Sequence, residues 1–205
     1  LQKHYFAANI PREYHDICLK DFIGDDRDAV TDAVERYLNN VESNFHYGLG
    51  LSFSGPYGTG KTFAMTSILK EMVKEGRSVY FITFEELINV WGAAWSNEEA
   101  QYLLDKLKSV EFLGMDEWRT DPRNSGGFLA NGLDNVLRWR TSNLLPTFIT
   151  TNMLPKQEEA EFDKAFSLLA AANDRVLTIG GDKRQHEVRE TKRELARLHE
   201  RRPIC

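Results

Sequence analysis

Apolar residues fall in short runs broken by Gly, Pro and Asn, and the spacing inside the runs switches between helical and strand periods. Val30, Val34, Leu38 and Val41 recur at helical spacing after an opening, through Ile10-Pro11, that reads as irregular. Leu49, Leu51 and Phe53 alternate as a short strand, the Gly-rich stretch from Gly55 interrupts them, and Thr62 to Lys74 resumes with a helical period. Ser78 to Phe84 is rich in β-branched and aromatic residues and predicts a second strand. Helices are predicted over Glu85 to Trp95 and Asn97 to Lys108, then a third strand over Val110 to Met115. Gly126-Gly127 precedes a helix running through Arg140, Pro146 to Thr151 reads as a fourth strand, and Val176 to Ile179 as a fifth. Strands alternating with helices imply one α/β domain whose parallel strands are joined by crossover helices.

The 205 residues, 41% of them hydrophobic, suffice for a single sizeable core. A formal net charge of −5 excludes general electrostatic attraction to nucleic acid, so DNA binding requires a local basic surface. Cys18 and Cys205 stand far apart without metal-ligand spacing, which argues against a disulfide framework or a zinc site and fits a reducing cytoplasm. No apolar run approaches the roughly 20 residues that cross a bilayer, so a membrane partner is not expected. The chain opens on Leu1 rather than Met, which suggests that an upstream partner-binding portion precedes it. From Lys183 to Arg202 it carries eight Lys or Arg against four Glu, the pattern of a solvated helix.

The strongest chemical signal is Gly55-Pro56-Tyr57-Gly58-Thr59-Gly60-Lys61-Thr62, which has the spacing of a phosphate-binding loop between a strand and a helix. Glycines let backbone N–H groups turn inward around phosphate oxygens, and the helix start adds a positive dipole end. Lys61 is placed to reach the β and γ phosphates of ATP, and the Thr62 hydroxyl to ligate Mg²⁺. Downstream, the apolar run Val110 to Met115 delivers Asp116 and Glu117 to a strand end, where ligands collect in parallel sheets. Asp116 suits a magnesium site, and Glu117 suits a base that orients and deprotonates water at the γ phosphate, which favours hydrolysis over phosphoryl transfer. The apolar run ending at Thr151 delivers Asn152, an amide that can position the same water. The plain alternatives are an acidic turn for Asp116-Glu117 and a turn Asn for Asn152.

Together, Gly55 to Thr62, Asp116-Glu117 and Thr150-Thr151-Asn152 resemble the Walker A, Walker B and sensor-1 elements of AAA+ ATPases, and their spacing resembles DnaC-like helicase loaders and IstB-like transposition ATPases. The resemblance runs from Ile10-Pro11 through Arg184, with Leu137-Arg138-Trp139 similar to the family's Arg-aromatic segment. It implies a P-loop fold with a parallel five-stranded sheet of order 5-1-4-3-2 and little or no separate lid. The ATPase domain would span 1–182 and the charged helical tail 183–205. It also implies ATP/ADP and Mg²⁺ as ligands, self-association into a ring or helix with shared nucleotide sites, and ATP-controlled contacts with single-stranded DNA and a replicative helicase. The family's Ser-Arg-Leu finger is replaced here by Ser167-Leu168-Leu169, leaving Arg175 as a substitute finger and Arg184 as a loose match to its late sensor-2-like arginine.

Three other functions compete: a transposition regulator acting on duplex DNA with a transposase, a small-molecule P-loop kinase, and a nucleotide-responsive adaptor with little turnover. Lys106, Lys108, Arg119, Arg123, Arg138 and Arg140 are candidates for a basic strip beside Trp91 and Trp95. The two tryptophans, four apart on a predicted helix, read first as one packed face and second as a base-stacking platform.

Overall fold

The computed structural model describes residues 1–24, 26–119, 128–153 and 155–179. Five strands, β1 (Gly50–Ser54), β2 (Val79–Thr83), β3 (Phe112–Trp118), β4 (Thr147–Thr151) and β5 (Asn173–Leu177), form one sheet of order β2-β3-β4-β1-β5. Every pairing is parallel. Read from its other edge, this is the order the resemblance implies. Among the described residues, eight α-helices surround it: α1 (Gln2–Ala7), α2 (Arg27–Asn39), α3 (Val41–His46), α4 (Lys61–Lys74), α5 (Phe84–Ala93), α6 (Glu98–Ser109), α7 (Phe128–Ser142) and α8 (Pro155–Ala172).

Side-chain alternation along the central strands divides the core into two layers. Phe81, Phe112 and Phe148 pack with α2 and α4 on one face, while Ile82, Leu113, Met115 and Ile149 pack with α5, α6 and α7 on the other. Gly114 falls on the α4 side, where a Cβ would lie 2.6 Å from the Leu69 Cδ1 atom, so its missing side chain lets α4 lie close to β3. The same parity carries Asp116 and Thr150 toward α4.

Several boundaries move. The irregular opening contains α1, after which the Phe81 N–H donates to the Ala8 carbonyl at 2.8 Å and the Asn9 amide to the Phe81 carbonyl at 2.9 Å, covering the free edge of β2. The helical stripe ending at Val41 breaks at Asn40 into α2 and α3. The third strand runs three residues past Met115, through the acidic pair. The segment after Asn152, where the sequence signals only a last strand and a tail, holds α8, the 18-residue crossover to β5. No separate helical lid occurs among the described residues. The charged tail, Arg184, Arg123 and Gly126-Gly127 lie outside them.

Candidate active site

The ends of β1, β3 and β4 meet where the strand order reverses, the position at which open parallel sheets hold ligands. A cavity of about 720 Å³ opens there, bounded by Gly58, Gly60, Lys61, Thr62, Asp116 and Glu117. Gly60 caps α4 with φ 84°, and Gly58 has φ 75°, both in the left-handed region that glycine alone enters without strain. A Cβ on Gly60 would lie 2.6 Å from Phe22, and one on Gly55 only 2.0 Å from the Thr178 carbonyl oxygen, so the loop must run as bare backbone. Thr59 is fully buried and its hydroxyl lies 2.6 Å from that of Thr178, which ties the loop to the residue following β5. The Lys61 ammonium donates to the Gly55 and Pro56 carbonyls at 2.9 and 2.6 Å, which places it inside the curve of the loop.

Asp116 is the buried hub of the acidic half. The Thr62 hydroxyl donates to its Oδ1 at 2.9 Å, and the Thr150 hydroxyl donates to the same oxygen at 2.5 Å. Burial raises the Asp116 pKa and the neighbouring Glu117 charge adds to the effect, while hydrogen bonds from Thr150, Thr62 and the Glu117 N–H act against it. A hydroxyl and a carboxylate held together beside a phosphate loop form an oxygen donor set suited to a hard divalent cation.

Strand parity alone would turn Glu117 toward the opposite face. The β3–β4 register shifts between Met115 and Trp118, and Glu117 takes φ 58°, a conformation rare outside glycine. The Glu117 N–H donates to the Thr150 hydroxyl at 2.9 Å, and the exposed carboxylate lines the cavity. Asn152, half-buried, lines it too, and its buried Oδ1 has no hydrogen-bond partner among the described residues. An unsatisfied acceptor beside an acidic group is a place where a water or ligand proton would be held. The bare loop, the oxygen donors and this orphaned amide together fit a magnesium nucleotide.

Of the sequence-derived residues, the loop, Asp116, Glu117 and Asn152 converge on one site. Arg175 does not line it. It sits on β5 opposite Ser52, exposed, at a separate cavity of about 150 Å³ shared with Trp118 and Leu169. Arg140 does not join the basic strip, and Arg123 lies outside the described residues. Arg140 is fully buried, its guanidinium donating to the Leu107, Val110 and Pro146 carbonyls and the Thr147 hydroxyl at 2.7–2.9 Å. Arg138 pairs with Asp134 and Arg119 with Glu85, while Lys106 lies over the Tyr80 ring and Lys108 over Trp139. The tryptophans separate as well: Trp91 is half-buried against Gly132, whereas Trp95 is 80% exposed because α5 ends before it. Sequence reasoning placed Thr150 only inside the sensor-1 resemblance and gave no separate role to its hydroxyl, which joins both carboxyl-bearing residues, although its parity with Phe148 marks its direction. It also missed Tyr14 and Phe22, which wall the cavity from a segment without periodicity.

This loop, fold and acidic strand end define a nucleotide-binding AAA+ protein of the P-loop class. The sequence matches the family of IstB-like ATP binding proteins over residues 38–202, and the chain belongs to that family. It is 25% identical over 133 residues to the replicative helicase loader DnaI of Bacillus subtilis (strain 168), covering 65% of this chain and 41% of that protein. It thus spans about two fifths of that relative's length. Among solved structures, the DnaC helicase loader superposes with a TM-score of 0.72 at 19% identity, covering 83% of this chain and all of that one. The DnaI structure gives a TM-score of 0.69 at 24% identity, with 82% and 94% covered. AMPPCP-bound DnaA from Aquifex aeolicus gives 0.67 at 17%, with 90% and 56% covered. The protein is therefore an IstB-like ATP binding protein with the AAA+ fold shared by the DnaC and DnaI structures.

Proposed function

We propose that the protein hydrolyses ATP and couples the nucleotide state to assembly on single-stranded DNA with a replicative helicase. The observation that carries the hydrolytic part is the bulge at Glu117, where a non-glycine residue held at φ 58° turns a carboxylate into the cavity beside Asp116. Such strain costs of order 1–3 kcal/mol and persists where its surroundings enforce it, as Thr150 does here. Gly58, Gly60 and Lys61 hold the phosphates, and Thr62 and Asp116 hold magnesium, which when bound offsets phosphate charge and orders the phosphates. Glu117 orients and accepts a proton from the attacking water, and Asn152 fixes that water's position. Arg175, exposed on the edge strand, is the described arginine proposed to act on a neighbouring protomer's nucleotide.

The similarity to DnaI supports the helicase partner. Exposed Trp95 and Tyr102, 80% and 73% accessible, support contact with unpaired bases, since stacking on aromatic rings needs no sequence match. The family match favours one second reading, in which the same core assembles on duplex DNA as a transposition regulator. ATP turnover and assembly size, measured with single-stranded and with duplex DNA, separate the two. Stimulation and assembly on single strands support the loader function, preference for duplex supports the regulator, and no turnover under any condition contradicts hydrolysis.

A further inference from the structure

Thr178, the residue after β5, sets its side chain against the base of the phosphate loop. A Cβ on Gly55 would lie 2.4 Å from the Thr178 Oγ1 atom, and that hydroxyl lies 2.6 Å from the Thr59 hydroxyl, with both threonines fully buried. Backbone hydrogen bonds fix Thr178 from two sides. Its N–H donates to the Ser54 carbonyl of β1 at 2.9 Å, and the next N–H, that of Ile179, donates to the Asp26 carboxylate before α2 at 3.1 Å. Thr178 does not line the nucleotide cavity, so its effect on a ligand passes through the loop.

Each threonine hydroxyl has one proton to give, and the distances decide where it goes. If Thr59 donated to Thr178, the Thr178 proton would be left to the Ser54 carbonyl, which is 3.4 Å away and already accepts the Thr178 N–H. In the opposite sense Thr178 donates to Thr59 at 2.6 Å, and Thr59 donates to the Pro56 carbonyl at 2.9 Å. Both of these bonds fall within the range of about 2.5–3.0 Å for hydroxyl donors, so the relay runs from Thr178 through Thr59 to Pro56. The Pro56 carbonyl also accepts from the Lys61 ammonium at 2.6 Å. A lysine that turns from this carbonyl to a phosphate takes a charged donor away from it, at a cost that a donor left in place reduces. Thr59 is such a donor.

We infer that Thr178 is a positioning residue for nucleotide binding: its hydroxyl commits the Thr59 proton to the Pro56 carbonyl, so that this carbonyl stays hydrogen-bonded when Lys61 shifts from it to the phosphates. The inference rests on the nucleotide-site reading above and extends it to a residue outside the loop. The test is titration of a fluorescent ATP analogue, with magnesium, into the whole chain. The parent is compared with Thr178→Val, Thr178→Ser, Thr59→Val and the double variant carrying both valines, each checked for folding by circular dichroism. Thr178→Val, which lacks one hydrogen bond of the relay, binds about tenfold more weakly, while Thr178→Ser, which keeps the hydroxyl, stays within about twofold of the parent. Because the two threonines act in one chain, the double variant binds within about twofold of Thr59→Val alone. Parent affinity in Thr178→Val, a serine variant as weak as the valine one, or single losses that multiply in the double variant overturns the inference. If Thr178→Val does not fold, Thr178→Ala removes the same oxygen and is read by the same outcomes. A parent that binds no analogue instead refutes the underlying site.

Discussion

Burial holds the folded-state pKa of Asp116 above its unfolded value, with the Glu117 charge adding to the rise. The folded protein therefore binds this proton more tightly than the unfolded chain does. The resulting contribution to stability is fully present below the unfolded value of 3.8 and is lost as pH rises through the folded one. Without a cation, ionised Asp116 costs stability at neutral pH. Asp116→Asn keeps an oxygen that Thr62 and Thr150 can donate to, so it is expected to melt higher than the parent in metal-free buffer, by about 2–4 °C for each kcal/mol relieved. It is also expected to lose the magnesium effect on nucleotide binding. Thermal melts with and without magnesium and ATP check both outcomes, and a lower melting temperature in metal-free buffer would contradict the assignment. The direction of Asp116 was legible in the sequence, because Phe112, Gly114 and Asp116 alternate on one face. That of Glu117 was not: alternation points it the other way, and no residue-type signal marks a glutamate at positive φ. Only contact with β4 reveals the bulge.

At the scale of elements, the largest fully buried side chain is Arg140, which fastens the end of α6 and the starts of β3 and β4 through main-chain carbonyls. Burial lowers its guanidinium pKa, but the group stays charged at neutral pH. Arg140→Met fills the space with apolar atoms yet orphans several buried carbonyls at about 1–3 kcal/mol each. A loss of about 3 kcal/mol or more is expected from denaturant unfolding, and a variant within 1 kcal/mol of the parent would remove the staple from the account. Sequence alone read Arg140 as part of a basic strip because net charge and spacing say nothing of burial. Strands β1 to β4 were legible from their apolar, β-branched and aromatic runs, whereas β5 begins three residues before the expected Val176, because Asn173, Asp174 and Arg175 carry no strand signal. Helix α8 was not, because its hydrophobic and charged residues are mixed and its start after Asn152 carries no cap signal. The segment holding Tyr14 and Phe22 was illegible as part of the site for a related reason: it has no period, and tertiary ties to α4 fix its place.

Across the whole molecule, the phosphate loop is bound to β1, to Thr178 after β5 and to the Phe22 segment, so a ligand that grips the loop should stabilise the fold as a unit. Binding at a nucleotide concentration one hundred times Kd adds about 2.7 kcal/mol, or roughly 5–10 °C in melting temperature for a chain of this size. Lys61→Ala is expected to lose most of that shift, read by thermal melts with ADP and magnesium, and an undiminished shift would place the nucleotide elsewhere. Turnover depends on fewer atoms than binding does. The most direct test of the central claim follows nucleotide binding and phosphate release in parallel samples of the parent and Glu117→Gln. An amide keeps the shape of the bulge but cannot accept the water's proton, so the account predicts ATP affinity within about threefold of the parent and turnover lower by at least about 10²-fold. Equal turnover in the two proteins would contradict it.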